Sequence, residues 1–136
     1  MLKLFIVSVA VTCIAGSGTA EPMKKCSGQE RNTCLVDGDT IWLYGKKLRM
    51  AGYDTPEPQS QRCGGEKEVA LARQATARVL ELLNTKPWTV EYSGDVDNTG
   101  SRELITIHIE GRDLGDILIE ERLARKWPDG DEFWCR

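Results

Sequence analysis

Asp37, Asp39, Arg49, Asp54 and Glu57 fall within two short runs of the chain, Asp37-Gly38-Asp39-Thr40 and Arg49-Met50-Ala51-Gly52-Tyr53-Asp54-Thr55-Pro56-Glu57. Carboxylates brought together repel and raise one another's pKa unless a cation or an arginine neutralises them. A set of this kind points to a hard divalent cation. Ca²⁺, which accepts carboxylates, carbonyls and waters in a flexible shell, suits Asp39, Asp54 and a nearby backbone carbonyl. The planar donor fork of Arg49 suits a phosphate carrying developing negative charge. Glu57, beyond a rigid Thr-Pro step, is spaced to orient or deprotonate a water. Each piece alone has a plainer reading: Asp-Gly is a common turn dipeptide, Thr-Pro-Glu-Pro starts loops, and a lone strand arginine is usually solvated. Their occurrence together and in order favours a site.

The elements that must position these residues can be read from periodicity. Thr33 to Val36 reads as a strand ending in the Asp37-Gly38 turn. Thr40 to Tyr44 alternates, with Ile41 and Leu43 on one face and Trp42 and Tyr44 on the other. Gly45-Lys46 turns the chain into a third strand, Lys47 to Met50. Pro56 and Pro58 impose an irregular stretch to Gly65. Glu66 to Leu83 predicts a long helix with Leu71, Ala75, Val79, Leu82 and Leu83 inward, stopping near Asn84 and Pro87. Trp88 to Tyr92 reads as a fourth strand and Ser93 to Ser101 as a polar link. Glu103 to Ile109 is a fifth strand, with Ile105, Ile107 and Ile109 on one face and Thr106 and His108 on the other. Asp113 to Arg122 reads as a short helix turning Leu114, Ile117 and Leu118 inward. This order predicts an α+β fold built on a β-barrel, a five-stranded OB-fold barrel with one long and one short helix.

The whole chain sets limits on function. Met1 to Ala20 has a basic start, an apolar run and a small-residue end, the layout of a secretory signal peptide. Cys13, after Ala10-Val11-Thr12, only faintly matches a lipidation signal. Residues 21–136 then form one domain of an exported chain, periplasmic or secreted, without stable membrane association. With 18 basic and 21 acidic residues the net charge is −3. That argues against a tight electrostatic binder of nucleic acid, but not against an enzyme that touches a phosphodiester locally and releases it. Cys26, Cys34, Cys63 and Cys135 fit two disulfides. Cys26–Cys34 across a turn, with Cys63–Cys135 anchoring the tail, is the favoured pairing among those possible. Zinc is disfavoured by the absence of CxxC spacing and by a single histidine.

The runs Val36-Asp37-Gly38-Asp39-Thr40 and Leu48-Arg49-Met50-Ala51-Gly52-Tyr53-Asp54-Thr55-Pro56-Glu57 resemble the staphylococcal nuclease-like, or thermonuclease, family. Gly100-Ser101-Arg102-Glu103-Leu104 and Leu114-Gly115-Asp116-Ile117-Leu118 through Arg122-Leu123-Ala124 add to the resemblance, which spans roughly Thr33 to Trp127. It implies an OB-fold and Ca²⁺-dependent hydrolysis of phosphodiesters in DNA and RNA. By position, Asp39 and Asp54 would hold Ca²⁺ with the Thr55 carbonyl as a third ligand. Arg49 and Arg102 would contact the reacting phosphate, and Glu57 would act on the attacking water. Asp37 would be supporting and Thr40 would fix the loop. The chain departs from the family at Asp97-Asn98-Thr99-Gly100-Ser101-Arg102, where an Asp-x-Tyr-Gly-Arg pattern is usual: the tyrosine is missing and Ser101 is an extra residue.

The other conspicuous residues have structural readings. His108 points outward on a strand. Trp42, Trp88, Trp127 and Trp134 read as packing residues, with base stacking as the alternative. Glu120-Glu121-Arg122 reads as a solvated helix face. The leading expectation is a monomeric exported nuclease acting on DNA or RNA with little sequence preference. Its rivals are a weak or inactive OB-fold module binding nucleic acid or a protein, and a disulfide-stapled structural domain.

Overall fold

The computed structural model describes residues 21–59 and 62–136, so the signal-peptide reading of residues 1–20 lies outside the described residues. The chain forms a small α+β fold. Strands β1 (Cys34–Asp37), β2 (Thr40–Leu43) and β3 (Lys46–Met50) make an antiparallel meander. Between β2 and β3 the backbone is left-handed at both Tyr44 and Gly45, with φ of 49° and 81°. Two such residues in succession match the twist of a tight hairpin, so the turn sits one residue earlier than Gly45-Lys46.

Strand β4 (Tyr53–Asp54) follows, then helix α1 (Gly65–Thr85), strands β5 (Trp88–Val96), β6 (Glu103–Ile109) and β7 (Arg112–Asp113), helix α2 (Leu114–Glu120), strand β8 (Arg125–Lys126) and a final 3₁₀ turn, η1 (Phe133–Cys135). The main sheet has six strands in the order β1-β2-β3-β6-β5, with β7 attached to β6. It is mixed, because β3 and β6 run parallel while the other pairs are antiparallel. The parallel pairing needs a crossover, which α1 and β5 supply.

A closed five-stranded barrel is not found among the described residues: β1 and β5 lie at opposite ends of the strand order. The outer edge of β1 is instead covered by the N-terminal segment, whose Lys24 carbonyl and Cys26 amide both bond Leu35 at 2.8 Å. The Cys26–Cys34 disulfide staples that segment in place. At its start, Met23 exchanges two hydrogen bonds with the Asn84 side chain, of 2.8 and 2.9 Å, which ties it to the end of α1.

The core lies between the sheet and the two helices. Leu35, Ile41, Leu48, Met50, Ile105 and Ile107 from the sheet meet Val79, Leu82, Leu114 and Leu118 from the helices. The alternation of β6 is as the sequence predicts. On α1 the buried stripe includes Glu68, Ala72 and Thr76, while Leu71 is only partly buried. The α1 start has no side-chain N-cap; the Glu68 carboxylate accepts the amides of Cys63 (3.0 Å) and Gly64 (2.9 Å) instead. This satisfies donors that a helix start leaves unpaired and puts negative charge at the favourable dipole end. Helix α2 is capped by the Asp113 carboxylate, which accepts from the Gly115 amide at 2.7 Å.

Candidate active site

The β1–β2 corner, the ends of β3 and β4, and the loop before β6 open onto one cleft of about 690 Å³. Asp37, Asp39, Thr40, Arg49, Asp54, Thr55, Glu57 and Arg102 all line it, so every site residue expected from sequence reaches the same cavity. Strand register explains much of this. Thr40 pairs with Arg49 across β2 and β3. On β3, Leu48 and Met50 turn into the core, so Arg49 between them faces the other way, into the cleft.

Asp39 is a buried acid of the cleft. One oxygen accepts the Thr40 hydroxyl at 3.0 Å; the other accepts the Thr55 amide and hydroxyl, both at 3.2 Å, and lies 2.5 Å from Arg49 Nη1. Burial works to raise its pKa, but Arg49, the Asp37 carboxyl and the Thr55 amide together hold it below the ordinary carboxylate value. Asp37 is the reverse case. Burial, and then the charge of Asp39, push it up to about 8, so at neutral pH it carries a proton.

The Asp37-Gly38-Asp39 corner is held from behind. The buried Tyr53 hydroxyl donates to the Gly38 carbonyl at 2.7 Å. A Cβ on Gly38 would lie 2.6 Å from Thr55 Cγ2, so the close approach of the two corners requires glycine there.

Arg49 lies against both acids: Nη2 is 3.7 Å from Asp54 Oδ1 and donates to the Tyr53 carbonyl at 3.2 Å. The other Asp54 oxygen accepts from Arg125 Nε at 2.9 Å. Burial raises the pKa of Asp54 and outweighs the hydrogen bond from Arg125. Burial also raises Glu57, aided by Asp39 and Asp54 and opposed by Arg62 and Arg49. A carboxyl raised in this way is a stronger base once ionised.

Arg102 also reaches the cleft. Its Nε lies 2.6 Å from Asp97 Oδ2, and its Nη1 donates to the Thr40 hydroxyl at 3.3 Å. The other Asp97 oxygen accepts the Thr99 hydroxyl at 2.7 Å and the amides of Ser101 (3.2 Å) and Arg102 (3.3 Å). Asp97 is thus the organising centre of the loop. Burial alone would raise its pKa, yet the Thr99 hydroxyl and Arg102 hold it far below the ordinary range.

The donor set suits a hard cation. Asp39, Asp54 and the Thr55 carbonyl offer oxygen only; burial first, and neighbouring carboxylates second, raise Asp54 and Glu57, so an added positive charge would favour their ionised forms. The site supplies two protein carboxylates and a carbonyl rather than a full cage, and water would complete the shell. Among the described residues, the one trio of acid or sulfur ligands within 4.8 Å is Cys63, Glu132 and Cys135, whose two sulfurs are joined in a disulfide.

Sequence reasoning missed Tyr53, Glu68, Asp97, Arg125 and Glu132 as structural partners of the site. Asp97 had a local signal, an acid shortly before an arginine in a turn-rich loop. Arg125 had none, because it reaches Asp54 through a two-residue ladder between segments 71 residues apart.

The expected packing roles hold for Trp88 and Trp134. Trp88 packs on the core and donates Nε1 to the Leu83 carbonyl at 3.1 Å; Trp134 is buried. Trp42 is half-buried, with its Nε1 unpartnered. Trp127 differs, being 44 % exposed at the cleft. His108 is turned outward and pairs with Glu91 at 3.0 Å.

Comparison with protein-family models gives no match, and neither does comparison with curated proteins.

Proposed function

We propose that this protein is an exported nuclease that hydrolyses phosphodiester bonds of DNA and RNA with little sequence preference, assisted by Ca²⁺, on an OB-type scaffold. The observation that carries the reading is the convergence of Arg49, Arg102 and a basicity-raised Glu57 on the cleft that holds Asp39 and Asp54. The strand order β1-β2-β3-β6-β5 with a parallel β3–β6 pair supports the OB-type part. Two disulfides, and the absence of a helix long and apolar enough to cross a membrane among the described residues, are compatible with export.

In this reading Asp39, Asp54 and the Thr55 carbonyl hold the ion, which when bound neutralises phosphate charge and orients oxygen. Arg49 and Arg102 donate to the non-bridging phosphate oxygens, most strongly as negative charge grows on them. Glu57 holds the attacking water and takes its proton. Attack is in line, and the leaving oxygen departs opposite the water. Asp97 keeps Arg102 aimed into the cleft, and Tyr53 keeps the Asp37–Asp39 corner in place. Asp37 and Thr40 support the corner rather than meet substrate.

The test is cleavage of DNA and of RNA by the oxidised protein with added Ca²⁺ or a chelator, comparing wild type with Glu57→Gln and Arg49→Ala. The expected outcome is chelator-sensitive cleavage, with each variant slowed by about 100-fold or more. Wild-type turnover should also fall on acidification at a pH above the ordinary Glu value of 4.5, since Glu57 must be ionised. Cleavage unaffected by chelator would overturn the Ca²⁺-assisted reading, and no cleavage at all would return the chain to the reading of a binding module.

A further inference from the structure

We propose that Arg125 is a positioning residue that fixes which oxygen of Asp54 faces the cleft, and so sets the strength with which the site holds its cation; this rests on the cation-assisted reading above. The backbone delivers the contact. β4 and β8 pair with Tyr53 opposite Lys126 and Asp54 opposite Arg125. Directly opposed residues of an antiparallel pair share a face, so the two side chains are bound to meet.

The guanidinium is then fastened on several sides. Nε donates to Asp54 Oδ2 at 2.9 Å, Nη1 to the Gly130 carbonyl at 2.8 Å, and Nη2 lies 2.8 Å from Glu132 Oε1. Its Cζ lies over the Trp127 ring, 5.1 Å from the ring centre. Only 11 % of the side chain is exposed. A solvated surface arginine would have none of these restraints.

The consequence falls on Asp54. With Oδ2 engaged by Arg125, Oδ1 is turned towards Arg49 and remains as the oxygen offered to the cleft. A carboxylate held so acts as a single, directed ligand. The positive charge of Arg125 opposes a nearby cation, but Glu132 offsets it at contact distance. Orientation therefore outweighs charge. Partners of this kind behind a ligating group typically contribute about 10- to 100-fold in metal affinity.

Calorimetric titration of the oxidised protein with CaCl₂, without nucleic acid, tests this on wild type, Arg125→Ala, Arg125→Lys and Glu132→Gln, with thermal unfolding of each as a check on folding. Positioning predicts about 10-fold weaker binding or more for both Arg125 variants, because lysine keeps the charge but not the fork. A smaller loss in the same direction is expected for Glu132→Gln. A pure charge effect would instead leave Arg125→Lys unchanged and make Arg125→Ala bind more tightly, overturning the proposal. If Arg125→Ala does not fold, the lysine and Glu132 variants decide. Wild type that binds Ca²⁺ and cuts, with Arg125 variants binding equally well, removes the positioning role and leaves the nuclease reading intact. Wild type that binds no Ca²⁺ removes the positioning role, whereas chelator-resistant cleavage removes the cation-assisted reading directly.

Discussion

Asp37 is a carboxyl that the folded protein keeps at an unfavourable ionisation. Its pKa rises from an ordinary 3.8 to about 8 through burial and the neighbouring Asp39 charge. A carboxyl raised on folding lowers stability as pH climbs from its unfolded to its folded value. Asp37→Asn keeps an acceptor for the Asp39 amide, now 3.2 Å from Asp37 Oδ1, and removes the charge. It is expected to stabilise the cation-free protein by about 1–3 kcal/mol at pH 8, with the gain vanishing below about pH 4. Urea unfolding at several pH values reads this directly, and equal stability of the two proteins at pH 8 would refute it.

At the scale of elements, the loop between β5 and β6 shows how one acid can organise a turn. Arg102 is held in the cleft because Asp97 gathers the hydroxyl of Thr99, two amides and the guanidinium on its two oxygens. Asp97→Asn breaks that ion pair while leaving Asp39 and Asp54 untouched. We expect a stability loss of about 2–4 kcal/mol and about 10-fold slower cleavage, with Ca²⁺ affinity unchanged. A carboxyl depressed on folding stabilises above its unfolded pKa and loses that contribution as pH falls through its folded value. The gap between wild type and variant should therefore narrow below about pH 4. Unfolding midpoints from pH 3 to 7, set beside calcium titrations, check both halves.

What sequence made legible at this scale follows period and locality. The alternation of Ile105, Ile107 and Ile109 and the apolar stripe of α1 carry a repeating signal, so those elements stand out. Two-residue strands such as β4 and β8 carry no period, and their pairing joins residues 53–54 to 125–126. The acids and Arg49 were legible because they sit on, or in the turns and loops beside, the first four strands, within a short stretch of the chain. Arg125 and Glu132 were not, since only tertiary pairing brings them near. The closed barrel expected from element order is not found among the described residues; residues 24–26 lie along the outer edge of β1 instead, and nothing in their composition announces a pairing segment.

For the whole molecule, the two disulfides differ in reach. Cys26–Cys34 closes a local loop with a sequence separation of 8, whereas Cys63–Cys135 spans 72. Loop entropy makes the longer tether worth about 4 kcal/mol, against about 2.5 kcal/mol for the shorter. Converting both Cys63 and Cys135 to Ser should lower stability by several kcal/mol and weaken cleavage more than removal of the other bridge. Thermal unfolding and turnover of the two double variants make the comparison; equal effects would count against it.

The longer tether also joins the two flanks of the cleft. Cys63 ends the segment that leads from Glu57 to α1, and Cys135 ends the tail that carries Glu132 to Arg125. Trp134 lies so close to Gly64 that a side chain there would strike its carbonyl. On the proposed reading, a newly made chain in a reducing compartment has these flanks unfastened. Its capacity to cut nucleic acid would then rise with thiol oxidation, tying activity to the redox chemistry of the compartment in which the chain folds.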